Sequence, residues 1–130
     1  MAGFSDYLED KVLDHVFGGT AYSAPSTLYV ALYTSAPSDT GGGTEVSGGG
    51  YVRKTSAFGV TGTNPTTASN SGAIEYPTAT ANYGTVVAVG IFDASSSGNL
   101  LAYANLSASK VVSTGDVFRF NTGDLDVTLA

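Results

Sequence analysis

The chain has 130 residues, enough for one domain around one core. Only 12% of them are charged, about half the usual roughly 25%, the net charge is −6, and there is no cysteine. This composition excludes disulfides and thiolate metal sites. It also excludes nucleic acid as a partner, because the five basic residues, of which only Arg53 and Lys54 adjoin, cannot displace a counterion atmosphere.

The first predicted element is an amphipathic helix over residues 5–17, SDYLEDKVLDHVF. Ser5 is a suitable N-cap, and Asp6, Glu9 and Asp10 sit near the positive end of the helix dipole. Leu8, Val12 and Val16, with Leu13 and Phe17 beside them, form one apolar stripe, and Gly18-Gly19 end the helix. The helix is short, so it must lie on its own sheet or on a neighbouring subunit; its own sheet is the ordinary outcome. Those early acids stand where a signal peptide would carry positive charge, and no run approaches about 18 apolar residues, so neither a leader nor a membrane span is expected.

Residues 27–34 read as a strand. Leu28, Val30 and Leu32 fall on one face, and Tyr29, Ala31 and Tyr33 on the other. Both faces are apolar or aromatic, so cover on both sides is expected. The loop 37–50 follows, with Gly41-Gly42-Gly43 and Gly48-Gly49-Gly50 around the island Thr44–Ser47. Glycine costs backbone entropy to order, and Val46 is the loop's apolar anchor, so the loop reads as a contact arm ordered by a neighbour. The candidate contact residues on and beside it are Val46, Glu45, Tyr51, Arg53 and Tyr33.

A return strand begins at Tyr51. Residues 59–72 read as an exposed loop with a short strand near Val60, and 73–76 as a strand closed by Pro77. Residues 85–93 are a β-branched run in which Gly90 marks a bulge or a close neighbour. The turn 94–98 leads into a strand over 99–106, and shorter strands follow at 110–112, 117–121 and 124–129. In the last of these Leu125, Val127 and Leu129 point inward. The fold class is therefore mainly β: one domain, residues 1–130, forming an antiparallel β-sandwich or jelly roll of seven to eight strands with one N-terminal helix.

No constellation for catalysis emerges, so the chain reads as a non-enzyme with no cofactor. His15 is the only histidine and lies on a solvated helix face without a nucleophile or orienter. The glycine triplet before Tyr51 lacks the Lys-Ser or Lys-Thr of a phosphate loop. Asp116, Asp124 and Asp126 are too few for a calcium site. The eight tyrosines are scattered across elements, which suits core and contact roles rather than a platform.

Four segments carry a resemblance: LDHVFGGTAY at 13–22, LYVALYTSAPSD at 28–39, GTEVSGGGYVRKT at 43–55 and ATANYGTVVAVGIFDASSSGNLLAYANL at 79–106. In this order, up to the closing GDVFRFNTGDLDVTL, the chain resembles a family of small phage virion structural proteins of the tail-fibre kind. Tyr83 stands where the family usually has tryptophan, which keeps an aromatic plug. The resemblance implies a structural part of a virus particle assembled in the bacterial cytoplasm. Two roles fit it. One is a capsid decoration (cement) protein, typically a trimer, bound to the major capsid protein. The other is a tail fibre or adaptor, with receptor or carbohydrate binding as a variant. A fibre is long and repetitive and this chain is neither, which favours decoration; the low charge favours a homotrimer packed among virion proteins.

Overall fold

The structure is a computed structural model and describes residues 3–129. In chain order the elements are β1 (Gly3–Phe4), α1 (Asp6–Val16), β2 (Leu28–Ser35), β3 (Thr44–Glu45), β4 (Lys54–Ser56), β5 (Phe58–Thr61), β6 (Thr66–Asn70), β7 (Ile74–Glu75), β8 (Gly84–Phe92), β9 (Leu100–Val112), β10 (Arg119–Phe120) and β11 (Asp126–Leu129).

The β-branched runs of β2 and β8 pair antiparallel at the centre of the main sheet. Its order is β1-β9-β8-β2-β3, and β4 shares with β3 the outer edge of β2. A second layer holds a three-stranded sheet, β11-β6-β5, and a two-stranded one, β10-β7. The core fills the space between the layers. Val30, Leu32, Val86, Val89 and Val112 from the main sheet meet Ile74, Tyr76, Phe118, Phe120 and Leu125. The Tyr76 hydroxyl donates to the Val30 carbonyl across this core at 2.8 Å, so a buried polar atom ties the layers together.

The alternation of β2 holds on both faces. Val30 and Leu32 join the core just described, while Ala31 and Tyr33 join a smaller cluster with Ala88, Phe92, Leu100 and Tyr103 on the outer face. Gly90 is the close neighbour expected: a Cβ there would lie 2.9 Å from both the Tyr33 ring and the Leu100 side chain. Leu125 is buried and Val127 half-buried, as the alternation of the last strand requires; the Leu129 side chain lies outside the described residues.

Helix α1 has the expected cap, the Ser5 hydroxyl accepting from the Leu8 amide at 3.2 Å. It rests on β9 and β1 with Tyr7, Leu8, Lys11 and Val12 half-buried. Its own sheet covers only part of the apolar stripe, because Leu13, Val16 and Phe17 in the last turns are 59%, 61% and 82% exposed.

Four local expectations need correction. Residues 59–72 contain the β5–β6 hairpin, because Thr61, Thr66 and Thr67 are β-branched and fit a ladder despite their polarity. The strands expected at 99–106 and 110–112 are one strand, β9, whose register against β8 shifts between Val86 and Ala88. The return strand is confined to Lys54–Ser56, and two-residue pairings at β1, β3, β7 and β10 raise the strand total above the expected seven to eight. Finally, loop 37–50 is ordered by its own domain. The Val46 amide donates to the Leu32 carbonyl at 2.9 Å and the Thr80 amide to the Gly49 carbonyl at 2.9 Å, while Val46 is 4% exposed, within the core. Two of its glycines are pressed on backbone. At positive φ, a Cβ on Gly43 would lie 2.6 Å from the Ser35 carbonyl oxygen, and one on Gly49 2.6 Å from that of Ala81. The glycines thus permit close approach within the chain, and these contacts offset their entropy cost.

Candidate functional site

The residues singled out around the loop converge. β2 and β3 pair Tyr33 with Glu45, and the segment before β4 brings Tyr51 and Arg53 to the same place. The Arg53 guanidinium grips the Glu45 carboxylate with both arms, Nε to Oε2 at 2.8 Å and Nη2 to Oε1 at 2.8 Å. Its Nη1 donates to the carbonyls of Ala94 at 3.0 Å and Ser97 at 2.8 Å. The same guanidinium lies 3.7 Å from the Phe92 ring centroid. Tyr51 donates to Glu45 Oε2 at 2.7 Å while its oxygen accepts from the Leu32 amide at 3.0 Å. Arg53 therefore fastens three separate stretches: β3, the 94–97 turn and its own segment.

The electrostatics follow from this geometry. Burial pushes the Glu45 carboxyl up, but the Arg53 guanidinium and the Tyr51 hydroxyl outweigh it and hold the group below its ordinary range. Hydrogen bonding to Glu45 raises Arg53 further above its usual value. Burial, then Glu45, push the Tyr51 hydroxyl far up. Tyr33 is pushed up to about 12, chiefly by burial and then by Glu45. The site is an ion pair with protonated phenols around it, which is chemistry for holding a shape.

Behind Tyr51 the aromatic rings continue. Tyr51 stacks on Tyr76 at 6.1 Å and meets Tyr83 edge-on at 5.8 Å. Tyr76 meets Phe118 at 5.9 Å, and Phe118 meets Phe120 at 5.0 Å. Tyr83 is 5% exposed and donates to the Pro77 carbonyl at 3.0 Å, so the aromatic plug is a core residue. These tyrosines belong to one network although they lie far apart in sequence.

The remaining candidates are engaged elsewhere. His15 is exposed, and its Nδ1 accepts the Tyr22 amide at 3.1 Å, pinning the segment after the helix. Asp116 accepts the Ser113 amide at 2.9 Å and Asp124 the Asn121 amide at 2.9 Å, each closing a turn; Asp126 accepts the Ser69 hydroxyl. Among the described residues no three His, Cys, Asp or Glu side chains gather as metal ligands. No helix of the described residues is long and apolar enough to cross a membrane.

Sequence reasoning missed Asn70. It is 1% exposed and fully satisfied: Oδ1 accepts the Leu125 amide at 2.9 Å, and Nδ2 donates to the carbonyls of Gly72 at 2.8 Å and Asn121 at 3.0 Å. An asparagine within a polar stretch reads as loop, and nothing in its neighbours signals burial. The partners of Arg53 in the 94–97 turn were equally silent, because they are backbone carbonyls.

A sandwich whose charged and phenolic groups lock loops to strands is a structural module. The family comparison narrows this: residues 3–128 match the family of Podophage GP4 fiber I protein gp80. The chain belongs to that family of phage fibre proteins and is a structural component of the virion, in association with other virion proteins. No curated protein matches the chain.

Proposed function

We propose that this chain is a non-enzymatic fibre subunit that joins copies of itself, as a homotrimer, and docks on other virion proteins. The observation that carries the reading is the family match over residues 3–128. The exposed end of α1 supports self-association: Leu13, Val16 and Phe17 lie three and four residues apart and so share one helix face. A second copy of this chain is the occupant proposed, since so low a charged fraction suits a subunit packed among its own kind. The contact arm keeps a place in this reading. Thr44, Ser47 and Val52 are exposed for contact, while Val46, Glu45, Tyr51, Arg53 and Tyr33 hold the arm in shape.

A second reading is a capsid decoration protein bound to the major capsid protein: the three sheets of the described residues differ in strand number and order and do not repeat one another, unlike a long repetitive fibre. Quantitative mass spectrometry of purified virions, with immunogold labelling, separates the two. Copies matched to tail symmetry and gold at the tail support the fibre. Copies matched to the shell and gold over the head support decoration and overturn the fibre reading.

A further inference from the structure

The helix end and the arm named above lie at different edges of the main sheet. Helix α1 rests on β9 and β1 at one edge, and β3 and β4 lie along β2 at the other. Each edge carries exposed apolar surface. Leu13, Val16 and Phe17 share one helix face, and Val52, between β3 and β4, is 54% exposed. Apolar surface alone does not decide which face meets which, but charge does.

The helix end is anionic. Helix α1 carries Asp6, Glu9, Asp10 and Asp14 against Lys11, four acids to one base, a net charge of −3 with His15 neutral. Asp10 and Asp14 are exposed and stand three residues before Leu13 and Phe17, so they flank the apolar face. The negative pole of the helix dipole adds to them at this end. Two copies meeting helix to helix across a two-fold axis would bring carboxylates onto carboxylates around the contact. Such a face is complemented by an apolar residue beside a free cation. Four of the chain's five cations are engaged or offset. Arg53 pairs with Glu45 and Arg119 with Glu75, Lys11 lies 5.6 Å from the Tyr7 ring centroid, and Lys110 lines a cleft with Asp124 and Asp126. Lys54 has no ion-pair partner among the described residues, and it stands two residues from Val52.

We infer that the last turns of α1 dock head-to-tail on the arm of a second copy, with Leu13, Val16 and Phe17 against Val52 and Asp14 against Lys54. The inference rests on the self-association proposed above and adds which surfaces meet. The giving and receiving patches differ, so each copy gives its helix to one neighbour and receives the helix of another. A contact of this kind makes a ring where its rotation closes, and the proposed trimer is one such ring. It buries apolar groups on both sides and sets opposite charges beside them, whereas helix-to-helix pairing would gain the first and oppose the second. Arg53, between Val52 and Lys54 in sequence, is held by Glu45 and the carbonyls of Ala94 and Ser97. The receiving patch is therefore presented in a fixed shape, which lowers the cost of ordering it on contact.

The test uses the full chain, which has no cysteine of its own. Val16→Cys and Val52→Cys fall at exposed positions, one on each patch. Under mild oxidation the double variant is expected to cross-link into covalent trimers on a non-reducing gel, while Val16→Cys alone stays uncross-linked. In sedimentation equilibrium Asp14→Lys and Lys54→Glu should each weaken self-association about tenfold, and the two together should return it to within about threefold of wild type. Disulfide-linked dimers from Val16→Cys alone would show helix-to-helix pairing and overturn the inference. So would a wild-type oligomer whose double cysteine variant does not cross-link, or whose paired charge reversal stays weak; self-association itself would survive that result. A wild type that is monomeric at every concentration and on the particle would overturn both.

Discussion

Replacing Arg53 by alanine removes the fastening of three chain segments at once. The Arg53 side chain is 7% exposed and that of Glu45 27%, so the pair is largely withdrawn from water. Breaking a buried pair by removing one partner costs about 3–5 kcal/mol, because the other charge is left without compensation. Glu45 keeps enough exposure to recover part of its hydration, which places the loss near the lower end, about 3 kcal/mol. In a domain of this size that lowers the melting temperature by roughly 10 °C. Arg53→Lys keeps the charge but cannot span both carboxylate oxygens and two carbonyls, so it should recover less than half of the loss. Thermal and urea unfolding of wild type, Arg53→Ala, Glu45→Gln and the double variant give the coupling directly. The pH dependence adds a second check. Glu45 has its carboxyl held below the ordinary 4.5, so its contribution is present above that pH and is lost as pH falls through the lower folded value. The gap between wild type and Arg53→Ala should therefore narrow as pH falls through that lowered value. A loss under about 0.5 kcal/mol at pH 7, the size of an ordinary surface change, would refute the clamp.

Val46→Asp should unfold or strongly destabilise the isolated domain, by about 3 kcal/mol or more, because it places a carboxylate within the core beside Leu32; urea denaturation measures it. Asn70→Leu should cost about 2–4 kcal/mol in the same assay, since it strips partners from the Leu125 amide and two carbonyls. Gly90→Ala should cost about 1–3 kcal/mol by forcing the Tyr33 and Phe92 rings apart, and near-ultraviolet circular dichroism should register the shift. Phe17→Asp should leave the melting temperature of the isolated domain within about 2 °C of wild type, as Phe17 is 82% exposed, and turn any trimer seen by sedimentation into monomer.

Much of the local structure was legible in the residues because its causes are local. Ser5 and the acids after it specify where α1 starts, and the alternation over 28–33 specifies which side chains of β2 face which layer. The aromatic and β-branched content of β2 and β8 also announced a strand buried on both faces. The candidates Tyr33, Glu45, Val46, Tyr51 and Arg53 were found because they flank one conspicuous loop. What they do there was not legible. Whether an arginine is a surface contact or a clamp depends on carbonyls 41 and 44 residues away in sequence, which carry no side-chain signature. Whether Val46 faces a neighbour or its own core depends on how the loop folds back on Leu32 and Ala81. The polar threonines of β5 and β6 looked like loop because a ladder is a pairing property, supplied by β11 from the end of the chain. Periodicity and capping act within a few residues and can be read along the chain, whereas charge pairing, ring stacking and backbone partners are set by chain closure, and only the tertiary structure decided them.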